Sequence, residues 1–142
     1  MPHLVILYTP NLDTKTDMTR LCRSLADTML QAVDESGAPV FPVGGTRVLA
    51  YPAAHSAISD GGQAGRTAGG SGEYSFVYMN IRLARGRSAL THRAVGDALV
   101  ANAKQHFALL LASEHIGITI QIDEGQEVFD AKISTLHPLF HY

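Results

Sequence analysis

The sequence predicts an α/β domain of the two-layer α+β kind, in which two β-α-β units form one four-stranded sheet with two helices on one face. Three observations carry this. Apolar residues recur at three- and four-residue steps in two long stretches, as on amphipathic helices. Each stretch is flanked by short runs of strand character, with turn residues between. The order strand, helix, strand occurs twice within 142 residues, the size of a single domain spanning 1–142.

The first strand is residues 2 to 8, where Leu4 to Tyr8 form an apolar run straight after Pro2 and His3. The run reads as a strand buried on both faces. "NLDTKTD" supplies turn residues, and Thr14 and Asp17 have the spacing of a capping box. A helix follows from about Thr16 to Asp34. Met18, Leu21, Leu25, Met29 and Ala32 make its apolar face, and Gly37 and Pro39 stop it. "TRVLAYP" is the second strand, ended by Pro52.

Between the units, six of the fourteen residues from Ser59 to Gly72 are glycine. "GGQAGRTAGG" lacks the Gly-Lys-Ser/Thr ending of a phosphate loop, lacks G-x-G-x-x-G, and has no helix after it. Residues 59–72 are therefore expected to be a flexible surface insertion.

"YSFVYMNIRL" is the third strand, rich in aromatic and β-branched residues. Ser88 stands as an N-cap, and a helix runs from about Leu90 to Ala112, with Val95, Leu99, Ala103, Phe107 and Leu110 on one face. In "HIGITIQID" Ile116, Ile118, Ile120 and Ile122 alternate with Gly117, Thr119 and Gln121, the mark of a fourth strand with one buried face. Each crossover is long enough to make its own two strands parallel.

Two helices cover only one face of such a sheet. The first and third strands carry bulky residues on both, so the other face needs a partner, and a second copy is the simplest one. The tail "HPLFHY" is a further apolar surface for a neighbour.

Composition narrows the function classes. A formal net charge of −2 offers no basic face for nucleic acid. No apolar run approaches the length of a membrane helix, and the start lacks the charged region of a signal peptide. With one cysteine, a cytoplasmic protein without disulfides is expected. Cys22, among Leu21, Leu25 and Met29, reads as core filler. His115, His137 and His141 show no metal-ligand spacing, and neither metal nor organic cofactor is expected. His106 reads as a hydrogen-bonded core or interface histidine, and Glu114, Asp123 and Glu124 as solvated charges.

Three residues stand out chemically. Removal of Met1 would leave Pro2 with a free secondary amine, which an apolar pocket and nearby cations would tune toward neutral pH as a general base. The plainer reading is that Pro2 only begins a strand, where its missing N–H is harmless. Arg47 starts the second strand and Arg87 follows the third, both beside glycines at strand ends, where open α/β sheets hold ligands. Arginine grips carboxylates bidentately. Arg82 and Arg85 compete with Arg87 for this role, and pattern does not choose among them.

"PHLVI", "PVFPVGGTRV", "YSFVYMNIRLARGRS" and "KQHFALLLAS" together make the chain resemble the 5-carboxymethyl-2-hydroxymuconate isomerases of the tautomerase superfamily, over nearly its whole length and in order. The resemblance implies a homotrimer of β-α-β-β-α-β subunits with the processed terminal proline as catalytic base, a role that falls on Pro2. It implies substrate-binding arginines at Arg47 and Arg87. The substrate would be an unsaturated 2-hydroxy di- or tricarboxylate. Two features differ from the family pattern: the long glycine-rich stretch before Glu73, and Arg85 in "ARGRS" where a small residue is usual. Two other readings stay open. One is a relative that hydrates or dehalogenates unsaturated acids, with a carboxylate opposite Pro2 to activate water. The other is a non-catalytic trimeric binding protein.

Overall fold

The computed structural model describes residues 2–140, so Met1, His141 and Tyr142, and with them the expectation for His141, lie outside the described residues. Strand β1 (His3–Tyr8) leads through a 3-10 turn at Pro10–Thr14 into helix α1 (Met18–Gln31). Strand β2 (Arg47–Pro52), a short helix α2 (Gln63–Thr67) and strand β3 (Tyr74–Leu83) follow. Helices α3 (Ala89–His106) and α4 (Ala108–Ser113) and strand β4 (His115–Glu124) complete the fold. The sheet order is β2-β1-β3-β4. β1 and β2 are parallel, as are β3 and β4, so both crossovers run as the sequence predicts. The two units join through an antiparallel β1–β3 pair.

Alternation along the strands divides the sheet cleanly. Leu4, Ile6, Val77, Met79, Ile81 and Leu83 face the helices, each no more than 2% exposed. Leu21, Leu25 and Met29 of α1 and Val95, Leu99 and Ala103 of α3 close over them, as their helical spacing predicts. The other face carries Val5, Leu7, Leu49 and Tyr51, brought side by side by the β1–β2 register, with Leu7, Leu49 and Tyr51 each close to half exposed. β1 is thus buried on one face within a single chain, not on both.

Several boundaries differ from the sequence reading, each for a local reason. The N-cap of α1 is Asp17, whose carboxylate accepts from Arg20 N at 2.9 Å. Thr14 instead closes the preceding turn by donating to Asn11 O. α1 stops at Gln31, short of Asp34, because Val33 leaves to bridge with Pro39 and Val40 N donates to Ala32 O. Ser88 caps α3 as expected, accepting from Thr91 N. The long second helix is divided at Phe107, a fully buried ring, into α3 and α4.

Residues 63–67 of the glycine-rich stretch form a turn of helix where none was expected. Asp60 accepts from Gly62 N and Ala64 N, and Gly65 N donates to the Tyr74 hydroxyl at 3.0 Å. Beyond β4, residues 126–136 have no regular structure, and Val128, Phe129 and Ile133 are fully or almost fully exposed. The turn His137–Leu139 returns to the chain: a Cβ on Gly44 would lie 3.1 Å from the His137 Cα and 3.2 Å from the Phe140 ring. The described part of the apolar tail therefore packs on its own chain at Gly44. Among the described residues no helix is long and apolar enough to cross a membrane.

Candidate active site

One end of the sheet gathers the residues singled out from the sequence. The parallel register sets Arg47 opposite His3, and the antiparallel register sets Arg82 on the other side of His3. Asp123 of β4 lies opposite Arg82. Pro2, the start of β2, the end of β3 and the end of β4 therefore meet at one edge. Pro2 is buried there. His3 points to the helix-free side and is exposed. Partial burial, then the Arg47 guanidinium, lowers its pKa below the ordinary 6.5.

The three arginines of "IRLARGRS" go to three places. Arg82 continues the strand alternation onto the helix-free face, with Nε 3.6 Å from a Glu127 carboxylate oxygen. Arg85 donates from Nε to Gly125 O at 3.1 Å, tying β3 to the residue after β4. Gly86 then takes φ +108°, a conformation that L side chains rarely adopt, and the chain turns so that Arg87 faces the loop before β2. Arg87 Nη2 donates to Val40 O at 2.8 Å and Nη1 to Ala84 O at 3.0 Å, and its Cζ lies 5.6 Å from the Phe41 ring centroid. These partners are neutral, so they orient the guanidinium without cancelling its charge.

Beside Arg87 is a cleft of about 360 Å3, walled by Asp34, Pro39 and Val40 on one side and by Ala84 to Arg87 and Thr91 on the other. Asp34 is occupied within its own turn, accepting from Ser36 N, Ser36 Oγ and Ala38 N. Glu35 fastens the two walls. Its carboxylate accepts from the Ser88 hydroxyl and, at 3.3 Å, from Thr91 Oγ1. That places a negative charge at the N-terminus of α3, where the helix dipole favours it.

Strand register thus brings Pro2 and Arg47 to the end of the sheet after which Arg87 follows β3; Arg87 lines the cleft, whereas neither Pro2 nor Arg47 does. Val40, Phe41 and Glu35 are additions that sequence reasoning missed. Their only signal was membership of the stretch between helix and second strand, because no periodicity links them to "ARGRS".

The carboxylates at the ends of β3 and β4 differ in their engagement. Asp123 accepts from Asn80 Nδ2 at 2.6 Å, Glu127 faces Arg82, and Glu124 lies 3.3 Å from His92 Nε2, close but not aligned for a hydrogen bond. His106, half-buried, shares a 2.8 Å hydrogen bond with Thr16 Oγ1, which fits the hydrogen-bonded part of the expectation for it. Glu114 is not merely solvated: it pairs with Lys15 at 2.6 Å. Among the described residues no cluster of three or more His, Cys, Asp or Glu could hold a metal ion.

A larger groove, about 650 Å3, lies at the far end of β1, lined in part by Tyr8, Asp13, Lys15 and Cys22. Its charged groups and the Tyr8 hydroxyl are bonded to their own neighbours. The Tyr8 hydroxyl donates to Asp13 at 2.6 Å, and burial, then that bond, push its pKa up to about 12. Burial likewise raises the Cys22 thiol, which suits a packing role. This groove is remote from Pro2 and the arginines, and its size alone gives it no chemistry.

The family model for 5-carboxymethyl-2-hydroxymuconate isomerase matches residues 2–140. A 5-carboxymethyl-2-hydroxymuconate Delta-isomerase from Escherichia coli is 24% identical over 140 residues, covering 99% of each chain. A crystal structure of a 5-carboxymethyl-2-hydroxymuconate delta-isomerase superposes with a TM-score of 0.96 at 56% identity, over 100% of this chain and 94% of the other. The 5-carboxymethyl-2-hydroxymuconate isomerase of Deinococcus radiodurans R1 superposes with a TM-score of 0.80 at 28% identity, over 99% of this chain and 95% of the other.

Proposed function

The chain belongs to the 5-carboxymethyl-2-hydroxymuconate isomerase family of the tautomerase superfamily, and on that premise we propose that it interconverts the enol and keto forms of 5-carboxymethyl-2-hydroxymuconate or a close relative, with Pro2 as the base. Once Met1 is removed, the Pro2 nitrogen takes the proton of the substrate's 2-hydroxyl. The electron pair moves through the conjugated chain, and the proton is returned to a carbon at its far end. A 2-oxo compound results, with no gain or loss of atoms. Arg47 and Arg87 hold carboxylates and stabilise the dienolate as its charge develops. The substrate's own conjugation spreads that charge, so the step needs neither metal nor organic cofactor.

The observation that carries this reading is Arg87, held by two carbonyls and a ring face at the sheet end where the buried Pro2 begins the fold. A positive charge with no carboxylate partner among the described residues suits a carboxylate ligand. The engagement of Asp123 by Asn80 and of Glu127 by Arg82 favours isomerisation over activation of water. The reading includes a cytoplasmic homotrimer; the half-exposed apolar residues on the helix-free face support its association.

The test is the rate of ketonisation against pH for wild type and Pro2→Ala, together with the intact mass of the cell-made protein. Loss of Met1, and loss in the variant of a limb titrating near neutrality, are expected. An unchanged rate and profile in Pro2→Ala would sink the base assignment.

A further inference from the structure

Arg87 is fastened by three uncharged groups from two separate segments: the Ala84 carbonyl in its own loop, and the Val40 carbonyl and Phe41 ring in the loop before β2. Phe41 is 2% exposed and Val40 6%, so neither can swing away. The Val40 backbone is set by the bond from its N–H to Ala32 O at 3.0 Å and by the neighbouring Val33–Pro39 bridge. Glu35 and Asp34 could compete for Arg87, yet Glu35 accepts from Ser88 and Thr91, and Asp34, which lines the cleft, accepts from Ser36 and Ala38. A carboxylate partner would orient Arg87 equally well but would cancel the charge. Carbonyl oxygens and the negative face of an aromatic ring orient it and leave the charge in place.

A guanidinium has five N–H donors in one plane. Two are used here and the ring covers one face, which leaves three donors in the guanidinium plane for a carboxylate. We propose that the Val40 and Ala84 carbonyls with the Phe41 ring form a preformed guanidinium socket, and that Phe41 is a positioning residue that aims Arg87 at a substrate carboxylate in the adjoining cleft. This rests on the reading of Arg87 given under Proposed function. The socket selects for the planar fork of arginine, and a lysine ammonium would not fill it.

The experiment removes the side chain and offers the socket its head group. Arg87→Ala in the full chain, assayed on 5-carboxymethyl-2-hydroxymuconate, should lose activity. Guanidinium ion at a few tens of millimolar should restore about tenfold of it, and methylammonium, an equal charge without the fork, should not. The Arg87→Ala/Phe41→Leu double variant should show no such rescue. Phe41→Leu alone should lose roughly three- to thirtyfold in kcat/KM, mostly through KM, while Phe41→Tyr stays near wild type.

An impaired Arg87→Ala that guanidinium fails to restore, that methylammonium restores equally, or that is still rescued without Phe41, overturns the socket and leaves the assignment of Arg87 standing. Full activity of Arg87→Ala overturns both. Rotation of the Arg87 guanidinium, followed by nitrogen NMR, reads the socket without activity. It should be slow in wild type and Phe41→Tyr, and fast in Phe41→Leu. Fast rotation in wild type overturns the socket even if no turnover is seen. Where Phe41→Leu fails to fold, the guanidinium and methylammonium comparison in Arg87→Ala decides alone.

Discussion

His3 and Arg47 stand opposite each other across the parallel β1–β2 ladder, and after partial burial the guanidinium is the next cause of the lowered His3 pKa. His106 is lowered too, first by burial and then by Arg20. Both groups bind protons less readily folded than unfolded. The unfolded chain thus takes up more protons as pH falls below the ordinary value of 6.5, and stability is lost through the window between that value and the folded pKa values. We expect the unfolding temperature to be level near neutrality and to fall as pH drops from about 6.5 toward about 5. His3→Gln should remove part of that slope, and His106→Gln another part. A flat profile in wild type over this window would refute the coupling.

Arg47→Ala and Arg87→Ala should each weaken transition-state stabilisation by about 2 to 4 kcal/mol, as for loss of an oxyanion partner. Arg85→Ala should do less, because Arg85 is committed to the Gly125 carbonyl. Steady-state kcat/KM on the same substrate reads all three. If Arg85 proves essential and Arg87 dispensable, the residue facing the substrate is the wrong one of the pair.

What the sequence could and could not show follows from the range of the interactions. The apolar faces of α1 and α3, the alternation in β4 and the Ser88 cap are local patterns, readable from spacing. The crossovers fixed which strands run parallel, whereas the antiparallel β1–β3 junction had no local signal. Residues 63–67 were read as non-helical because glycine disfavours helix. Asp60 and the Tyr74 hydroxyl supply backbone partners from outside the segment and offset that preference. The choice among Arg82, Arg85 and Arg87 was undecidable because Gly86 breaks the strand alternation with a positive φ. Contact with Val40 and Phe41 joins segments far apart in sequence, which composition and periodicity do not record.

The cap of α1 offers a clean comparison, since two candidates lie three residues apart. Asp17 accepts from Arg20 N, whereas Thr14 only donates to the Asn11 carbonyl. Asp17→Ala should destabilise the fold by about 1 kcal/mol and Thr14→Ala by a few tenths at most. Denaturant unfolding of the two variants at neutral pH measures this. An equal or larger loss for Thr14→Ala would mean that the capping box spans both residues after all.

The helix-free face sets the last expectation. β1 and β2 place Val5, Leu7, Leu49 and Tyr51 together, and Leu7, Leu49 and Tyr51 are 46%, 45% and 49% exposed. Val128, Phe129 and Ile133, which follow β4, are exposed by 104%, 83% and 101%. A monomer would leave both sets in water, and large apolar patches of this kind mark association surfaces. Covering them gains about 25 cal/mol per Å2 of apolar area removed from water, so association through the sheet face removes a cost that the single chain cannot. Light scattering on dilute protein should therefore give a trimer's mass. Leu49→Asp, which puts a charge among these residues on edge strand β2 without touching the helix-side core, should shift the mass toward the monomer and lower activity with it. A wild-type protein that is monomeric, stable and active would overturn the assembly, and a Leu49→Asp variant that stays trimeric would move the interface off this face.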